Sequence, residues 1–320
     1  MYKDKKVLLI AGGGTLGTYT AEELIRLGAM VDVLCPEDKI SSNDKLTFIK
    51  GMGSRKVLKE LLSSKHYDGI INFIHYPNVE EYKAIHNLLS ENTKHLIFLS
   101  SYRVYADEQH PVTESAPMLL DVSKDKEFLE KEDYALSKAK AEYFLRNESN
   151  TTNWTIVRPV ISFSQYRFDI VTINQHVVLE KAKSGETLYL PEKTKNLVAA
   201  LDWAGNSGKL IANLLFKKEA FGEAYTISSA QNLTWGEVAE IYIKLLNVKI
   251  QWVDIEEFIR QGGTPYGEWA LYYDRLFDRR IDNSKVLKAT GLTAKDFKSV
   301  EEGIKFELDK LGVEYMNSHN

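Results

Sequence analysis

Residues 6–17 read KVLLIAGGGTLG, and this stretch decides the fold. Val7–Ile10 is apolar without alternation, which is typical of a strand buried on both faces. Gly12, Gly14 and Gly17 follow in the spacing G-x-G-x-x-G, and a helix is predicted over 18–28. Glycines suit a turn with unusual φ/ψ, and they let a pyrophosphate approach the helix N-terminus. The stretch predicts a dinucleotide site, with a tight turn that binds nothing as the alternative.

Composition restricts the class of protein. The 320 residues are 44% hydrophobic and 27% charged, which is typical of a soluble protein with one large and one smaller domain. The net charge of −4 and the lack of a Lys/Arg cluster argue against nucleic acid or a membrane as partner. Cys35 is the only cysteine, which excludes an internal disulfide and a multi-cysteine metal site. Without a signal peptide or a membrane-length apolar run, the expected location is the cytoplasm.

Strand-like and helical segments alternate along the chain. This alternation predicts an α/β fold with a doubly wound parallel sheet of the Rossmann type. Further strands are expected at 30–34, 47–49, 69–74, 95–101, 154–158 and 224–227, and helices at 54–63, 79–90, 134–146 and 203–216.

The pattern becomes irregular over 162–195, which suggests a second domain. We assign residues 1–163 to a dinucleotide-binding domain, to which 196–230 return. Residues 164–195 and 231–320 are expected to form a mainly helical substrate-binding cap. Thr234 and Glu237 predict a capping box at the start of a helix within this cap.

Tyr134 and Lys138 form a Y-x-x-x-K pair, whose side chains share one face of a helix. The same spacing occurs twice more in the chain, so spacing alone does not identify a site. This pair, however, lies on a predicted helix that follows a strand ending in Ser101. Because ligands of open α/β sheets bind outside the carboxyl ends of strands, Ser101 can face Tyr134 across a cofactor site.

Taken in order, these motifs resemble the extended branch of the short-chain dehydrogenase/reductase superfamily, whose members modify sugar nucleotides. The resemblance covers about 7–311 and includes the glycine turn, SSYRVYADEQHPVTE (100–114), YALSK (134–138), TIVRP (155–159), GEAYTIS (222–228) and RRIDNSKVLKATG (279–291). It implies NAD as cofactor and a nucleotide sugar as substrate. It leaves a homodimer open as the oligomeric state.

The resemblance also implies roles for individual residues. Ser101 would bind the substrate hydroxyl or carbonyl, Tyr134 would be the general acid/base, and Lys138 would hold the nicotinamide ribose. Cofactor contacts are expected from Gly12, Gly14, Thr15, Leu16, Gly17, Glu37, Asn72, Lys138 and Pro159, and substrate contacts from Arg103, Arg167 and Arg275. An exposed Arg103 that pairs with Asp107 or Glu108 is the alternative for that residue.

The chain departs from the family at the adenosine end. Cys35 stands where many relatives have an acid for the adenosine ribose, and Glu37 or Asp38 can replace it. No arginine stands there to bind a 2′-phosphate, which favours NAD and leaves NADP open. Met52 occupies the place of a further acid near adenine, so the pyrophosphate contacts are better defined than the adenine contacts.

The two positions that follow Ser101 restrict the type of reaction. Sugar-nucleotide dehydratases of this family carry an acid pair there, because elimination of water needs its own acid and base. Tyr102 and Arg103 occupy these positions, which disfavours a dehydratase and leaves an epimerase or a reductase. The rival hypothesis is a non-catalytic dinucleotide-binding protein, either a redox sensor or an RNA-binding relative. The intact set of Ser101, Tyr134 and Lys138 argues against it.

Overall fold

The computed structural model describes residues 1–132 and 134–312. Its strands are β1 (Lys6–Ile10), β2 (Met30–Cys35), β3 (Leu46–Lys50), β4 (Gly69–Asn72), β5 (His95–Leu99), β6 (Trp154–Pro159), β7 (Ile161–Phe163), β8 (Thr187–Pro191), β9 (Leu201–Trp203), β10 (Glu223–Ile227) and β11 (Lys249–Val253). Its helices are α1 (Thr15–Arg26), α2 (Arg55–Ser64), α3 (Val79–Glu91), α4 (Leu119–Val122), α5 (Lys126–Lys131), α6 (Tyr134–Asn147), α7 (Gln175–Ser184), α8 (Ala204–Leu214), α9 (Trp235–Leu246), α10 (Ile255–Arg260), α11 (Ser284–Thr290) and α12 (Val300–Leu311).

The central sheet has seven strands in the order β10-β6-β5-β4-β1-β2-β3. Every neighbouring pair is parallel, and the strand order reverses between β1 and β4. The predicted doubly wound Rossmann-type sheet is thereby confirmed. In such sheets the crevice at the reversal point lies outside the carboxyl ends of the strands, which is where a dinucleotide binds.

Alternate side chains of β1 enter two different cores. Val7 and Leu9 pack with residues of α1 and α8 on one face of the sheet. Leu8 and Ile10 pack with residues of α2, α3 and α6 on the other face. All four side chains are fully buried, which explains why the strand is apolar without alternation.

Two element boundaries differ from those predicted. Helix α1 begins at Thr15 rather than at 18, because Gly14 is already its N-cap. The segment 162–195, predicted to be irregular, contains α7 and β8, and β8 pairs with β11 in a separate two-stranded sheet. On this short strand Leu188 and Leu190 are buried, whereas Thr187 and Tyr189 are less buried. An alternation of only four residues is too short to be recognised in the sequence.

The capping box at Thr234 is confirmed, since its Oγ1 accepts the N–H of Glu237 at 3.2 Å. No helix in residues 1–132 or 134–312 has the length and apolar character needed to cross a membrane.

His95 on β5 is a fully buried histidine with both ring nitrogens engaged. Its Nδ1 accepts the backbone N–H of Phe216 at 2.8 Å, so its proton lies on Nε2, which is 2.8 Å from the Thr155 hydroxyl. Burial lowers the pKa of His95 to about 3. The neutral ring is therefore part of the folded state.

We expect His95 to make the fold sensitive to acid. Its pKa lies below the ordinary ~6.5 of an unfolded chain, so the unfolded state binds the proton first as pH falls. This contribution to stability is complete above pH ~6.5 and is lost from there towards pH ~3, at about 1.4 kcal/mol per pH unit. Urea unfolding at two pH values measures it.

The matched variant is His95→Gln, which keeps a donor and an acceptor but does not titrate. Between pH 7 and 4.5 it is expected to lose about 2.5 kcal/mol less stability than the wild type. Equal losses in the two proteins would contradict the role of His95.

Candidate functional site

The glycine turn, residues 11–17, joins β1 to α1 at the carboxyl edge of the sheet. A Cβ on Gly17 would lie 2.2 Å from the Gly12 carbonyl oxygen, so this glycine permits close backbone approach. A Cβ on Gly14 would meet no heavy atom within 4 Å, so this position faces open space. The turn and the N-terminus of α1 therefore fit a pyrophosphate, which needs room and free N–H groups.

The unusual φ expected of the glycines lies elsewhere in the turn. Ala11 has a left-handed φ of 57°, whereas Gly12, Gly14 and Gly17 have no positive φ. The glycines are needed for space rather than for a left-handed conformation, and the prediction on this point was wrong. The strain falls on an alanine, whose Cβ disfavours that region.

Relief of this strain is a testable consequence. We expect Ala11→Gly to stabilise the protein by about 0.5–1 kcal/mol, because the lost strain exceeds the added freedom of the unfolded chain. The control is Ala21→Gly in the interior of α1, which is expected to destabilise by about 1 kcal/mol. Denaturant unfolding measures both, and a destabilised Ala11→Gly would contradict the argument.

A cleft of about 1360 Å³ opens beside the glycine turn. Ten of the predicted site residues line it: Gly14, Thr15, Leu16, Gly17, Ser101, Arg103, Tyr134, Pro159, Arg167 and Arg275. The tertiary structure thus brings the turn, the ends of β5 and β6, the start of α6, Arg167 and Arg275 to one cavity. Gly12, Glu37, Asn72 and Lys138 are the predicted residues that lie outside this lining.

Tyr134 is held in the cleft wall by two neighbours. The guanidinium of Arg103 lies over its ring, 5.2 Å from the ring centre. The ring of His75 packs edge-on against it, with 5.0 Å between the two centres. Ser101, at the end of β5, accepts the backbone N–H of Arg103 at 3.2 Å. Ser101 and Tyr134 therefore share one end of the cleft.

Lys138 lies one turn after Tyr134 and is only 2% exposed. Its Nζ donates to the carbonyls of Leu99 at 2.6 Å and Ile74 at 3.2 Å. Burial lowers the pKa of this lysine to about 7. The hydrogen bonds described for its ammonium go to the backbone beyond β4 and at the end of β5, so its contact with a ribose stays a prediction.

Glu142 anchors helix α6, which carries Tyr134. Its carboxylate accepts the Ser100 hydroxyl at 2.5 Å and the Nε of Arg158 at 2.9 Å, all in the core. The acid thus ties α6 to the ends of β5 and β6. The sequence analysis did not predict this contact. An acid and a base within segments predicted to be buried, Glu142 and Arg158, do indicate an ion pair, because buried charges are usually paired.

Asn72 and Gly12 serve the backbone around the cleft. The Asn72 amide donates to the Tyr76 hydroxyl at 3.0 Å and accepts the N–H of Ile74 at 3.1 Å, which shapes the loop after β4. A Cβ on Gly12 would lie 2.7 Å from the Cβ of Leu9, so Gly12 packs against β1. Any contact of these two residues with a cofactor stays a prediction.

Acidic and basic side chains lie together where the adenosine of the cofactor is predicted to bind. A Cβ on Gly13 would lie 3.0 Å from the Glu37 carboxylate, so Glu37 stands beside the turn. Asp38 instead pairs with Lys50 at 3.2 Å. Lys39 donates to the Gly13 carbonyl at 2.8 Å. The sequence analysis considered only an arginine at this end of the site and did not predict this contact. A basic residue four positions after β2 was the available signal.

A buried carboxylate organises the arginines at the cap side of the cleft. Asp274 accepts the Tyr102 hydroxyl at 2.6 Å and the Nε of Arg279 at 3.1 Å, and it pairs with Arg275. Arg275 also donates to the Val171 carbonyl at 2.8 Å. Asp274 comes from a single π turn, residues 271–275, and nothing in its local sequence marks it as a centre of contacts.

Arg103 has partners other than those expected. Its Nη2 lies 3.3 Å from Glu132, and its Nε lies 3.9 Å from Asp274. The alternative of an exposed Arg103 paired with Asp107 or Glu108 was wrong, because its side chain is only 17% exposed. Its acidic partners come from segments far along the chain, which is why they escaped sequence reasoning.

The sequence pattern of the NAD dependent epimerase/dehydratase family matches residues 8–197, from β1 to the loop beyond β8. The chain belongs to this family. Its members are NAD-dependent enzymes, and the glycine turn leaves open space at Gly14, beside the N-terminus of α1, where a pyrophosphate fits. No sequence among the curated proteins matches the chain.

Several solved structures share this fold at low sequence identity. WbmG of Bordetella bronchiseptica, solved with NAD and UDP, is 17% identical with a TM-score of 0.70, covering 99% of each chain. The epimerase Mth375 of Methanothermobacter thermautotrophicus is 17% identical with a TM-score of 0.70, covering 97% of this chain and 93% of its own. A UDP-glucose 4-epimerase of Thermotoga maritima, solved with UDP-glucose, is 15% identical with a TM-score of 0.67, covering 96% and 98%.

Proposed function

We propose that this family member is an NAD-dependent epimerase or reductase that transfers a hydride to or from the sugar of a nucleotide sugar. The observation that carries the proposal is that Ser101 and Tyr134 line the same cleft as Gly14 and Pro159. A general acid/base therefore shares one cavity with a turn suited to a pyrophosphate.

The proposed chemistry divides the steps among few residues. NAD, when bound, exchanges the hydride with one sugar carbon. The Tyr134 hydroxyl moves the matching proton, and Ser101 holds the reacting oxygen by a hydrogen bond. His75 and Arg103 hold the tyrosine ring against rotation. This arrangement needs no separate acid pair, which suits an epimerase or a reductase.

A dehydratase fits these residues less well. The Tyr102 hydroxyl is committed to Asp274 at 2.6 Å, and Arg103 is a cation that is unsuited to proton exchange at neutral pH. Glu132 lines the cleft, but its carboxylate accepts N–H groups from the start of α6. None of these three groups is arranged as a free acid.

A nucleotide sugar is supported by the cap side of the cleft. Arg167 and Arg275 line it and offer guanidinium groups, which bind phosphates well. Similar folds have been solved with UDP in WbmG and with UDP-glucose in the Thermotoga enzyme. Both cap arginines are therefore proposed to bind the diphosphate.

The test begins with native mass spectrometry of freshly purified protein. Retained NAD favours the epimerase, which regenerates its cofactor within one site, whereas a cofactor-free protein favours the reductase. A screen of UDP-, dTDP-, GDP- and CDP-sugars with added NAD or NADH then identifies the reaction. If the protein binds NAD but neither binds nor converts any nucleotide sugar, the non-catalytic alternative replaces this proposal.

A further inference from the structure

We propose that the reacting sugar carries a carboxylate that Arg103 binds, which makes the substrate a nucleotide-linked hexuronate. This inference rests on the proposed function and specifies its substrate class. The side chain of Arg103 lies at the reacting end of the cleft, because it covers the ring of Tyr134 at 5.2 Å. Its backbone N–H also binds the Ser101 hydroxyl at 3.2 Å.

The guanidinium of Arg103 has unused donor capacity. An arginine offers five N–H donors in a planar fork. Among the described residues, its one side-chain hydrogen bond is from Nη2 to Glu132, at the long distance of 3.3 Å. Its Nε is buried and has no hydrogen-bond partner in this part of the chain. Its Nη1 makes no hydrogen bond to a described residue either, and because the 17% exposed side chain lines the cleft, this end of the guanidinium is the one that a ligand can reach.

The Glu132 carboxylate takes only one long hydrogen bond from the fork, from Nη2 at 3.3 Å. Its oxygens accept the backbone N–H of Ala135 at 3.1 and 2.8 Å and that of Leu136 at 3.2 Å. Glu132 thus serves mainly to cap helix α6, where a carboxylate stabilises the free N–H groups.

Asp274 is close enough to pair electrostatically with the fork but makes no hydrogen bond to it. Its oxygens bind Tyr102, Arg275 and Arg279, and the nearest one is 3.9 Å from the Nε of Arg103. Both acids bind other groups more closely than they bind Arg103, so the cleft-lining guanidinium keeps donors for an anionic ligand.

A carboxylate on the sugar suits this position better than the diphosphate. Arg167, paired with Asp169 at 2.5 Å, and Arg275, paired with Asp274, also line the cleft and are the residues proposed for the diphosphate. Arg103 instead follows β5 beside the residues that are proposed to react. A planar fork matches a planar carboxylate through two parallel hydrogen bonds, and C6 of a hexuronate provides that group near the reacting carbon.

The experiment compares a hexose with the corresponding hexuronate on the same nucleotide. Calorimetric titration of the NAD-loaded protein covers the UDP, dTDP, GDP and CDP series. We expect the hexuronate to bind about 10- to 100-fold more tightly, as a charge-assisted pair allows. Arg103→Met is expected to abolish this preference, whatever its effect on hexose affinity, and an unchanged NAD affinity in the same variant shows that it is folded.

Two further variants sharpen the result. Arg167→Met is expected to weaken hexose and hexuronate alike, so that the preference survives. Arg103→Lys keeps the charge without the fork and is expected to keep only part of the preference.

Three outcomes overturn the inference. Equal affinities of hexose and hexuronate in the wild type, or an unchanged preference in Arg103→Met, refute the hexuronate and leave the proposed function intact. Failure of every nucleotide sugar to bind refutes the proposed function and the hexuronate with it.

Discussion

Tyr134→Phe is expected to abolish turnover while leaving the fold and cofactor binding intact. The phenylalanine ring keeps the packing against His75 and Arg103, whose contacts with Tyr134 are to the ring. Only the transferable proton is removed. General acid–base catalysis contributes about 100- to 10,000-fold, and we expect a loss of that size in kcat. The measurement is steady-state kinetics on the nucleotide sugar that the wild type converts.

The matched control is Tyr266→Phe, which changes another tyrosine of the same cleft. Tyr266 is 83% exposed, and its loss of a hydroxyl is expected to leave kcat nearly unchanged. Calorimetry should give the same NAD affinity for wild type and Tyr134→Phe. If Tyr134→Phe turned over at the wild-type rate, Tyr134 could not be the acid/base.

Gly14→Val is expected to remove NAD binding from a protein that still folds. Because a Cβ on Gly14 meets no protein atom within 4 Å, the branched side chain enters the open space beside the N-terminus of α1. A pyrophosphate needs that same space. We expect NAD affinity to fall by about 100-fold or more, equivalent to about 3 kcal/mol. Calorimetric titration with NAD and thermal unfolding measure the two effects separately.

Two other substitutions in the same turn provide the comparison. Gly14→Ala is expected to weaken NAD binding less than Gly14→Val, since a single methyl fills less of the space. Gly17→Ala is expected to lower stability itself, because its Cβ would lie 2.2 Å from the Gly12 carbonyl oxygen. Unchanged NAD affinity in folded Gly14→Val would falsify the assignment of the turn to the cofactor.

The glycine turn illustrates how far local sequence carries the argument. Strand β1, the turn and helix α1 are contiguous, so their order and spacing were readable from residues 6–28. The left-handed φ of Ala11 was not, because it depends on how the turn fits between β2 and the helix. The short strands β8 and β11 were also missed, since each is stabilised by pairing with the other across the cap.

The cleft illustrates the opposite case. Ser101 and Tyr134 were recognised from motifs, but Glu132 and Asp274 carried no local signal. Lys138 was recognised as well, yet the carbonyls that receive its ammonium belong to the ends of other segments. Which charged side chains pair with one another depends on tertiary packing. In the buried interior these pairs have a large effect on the pKa of each group.

The sequence by itself determined the layered architecture, the glycine turn and the family, because hydrophobic periodicity and glycine spacing act over a few residues and need no distant partner. Only the tertiary structure decided that Lys138 is held by the backbone, that Lys39 binds the turn, and that Arg103 lines the cleft between Glu132 and Asp274. These features depend on contacts between segments far apart in the chain, whose geometry is established only when the sheet and the cap pack together.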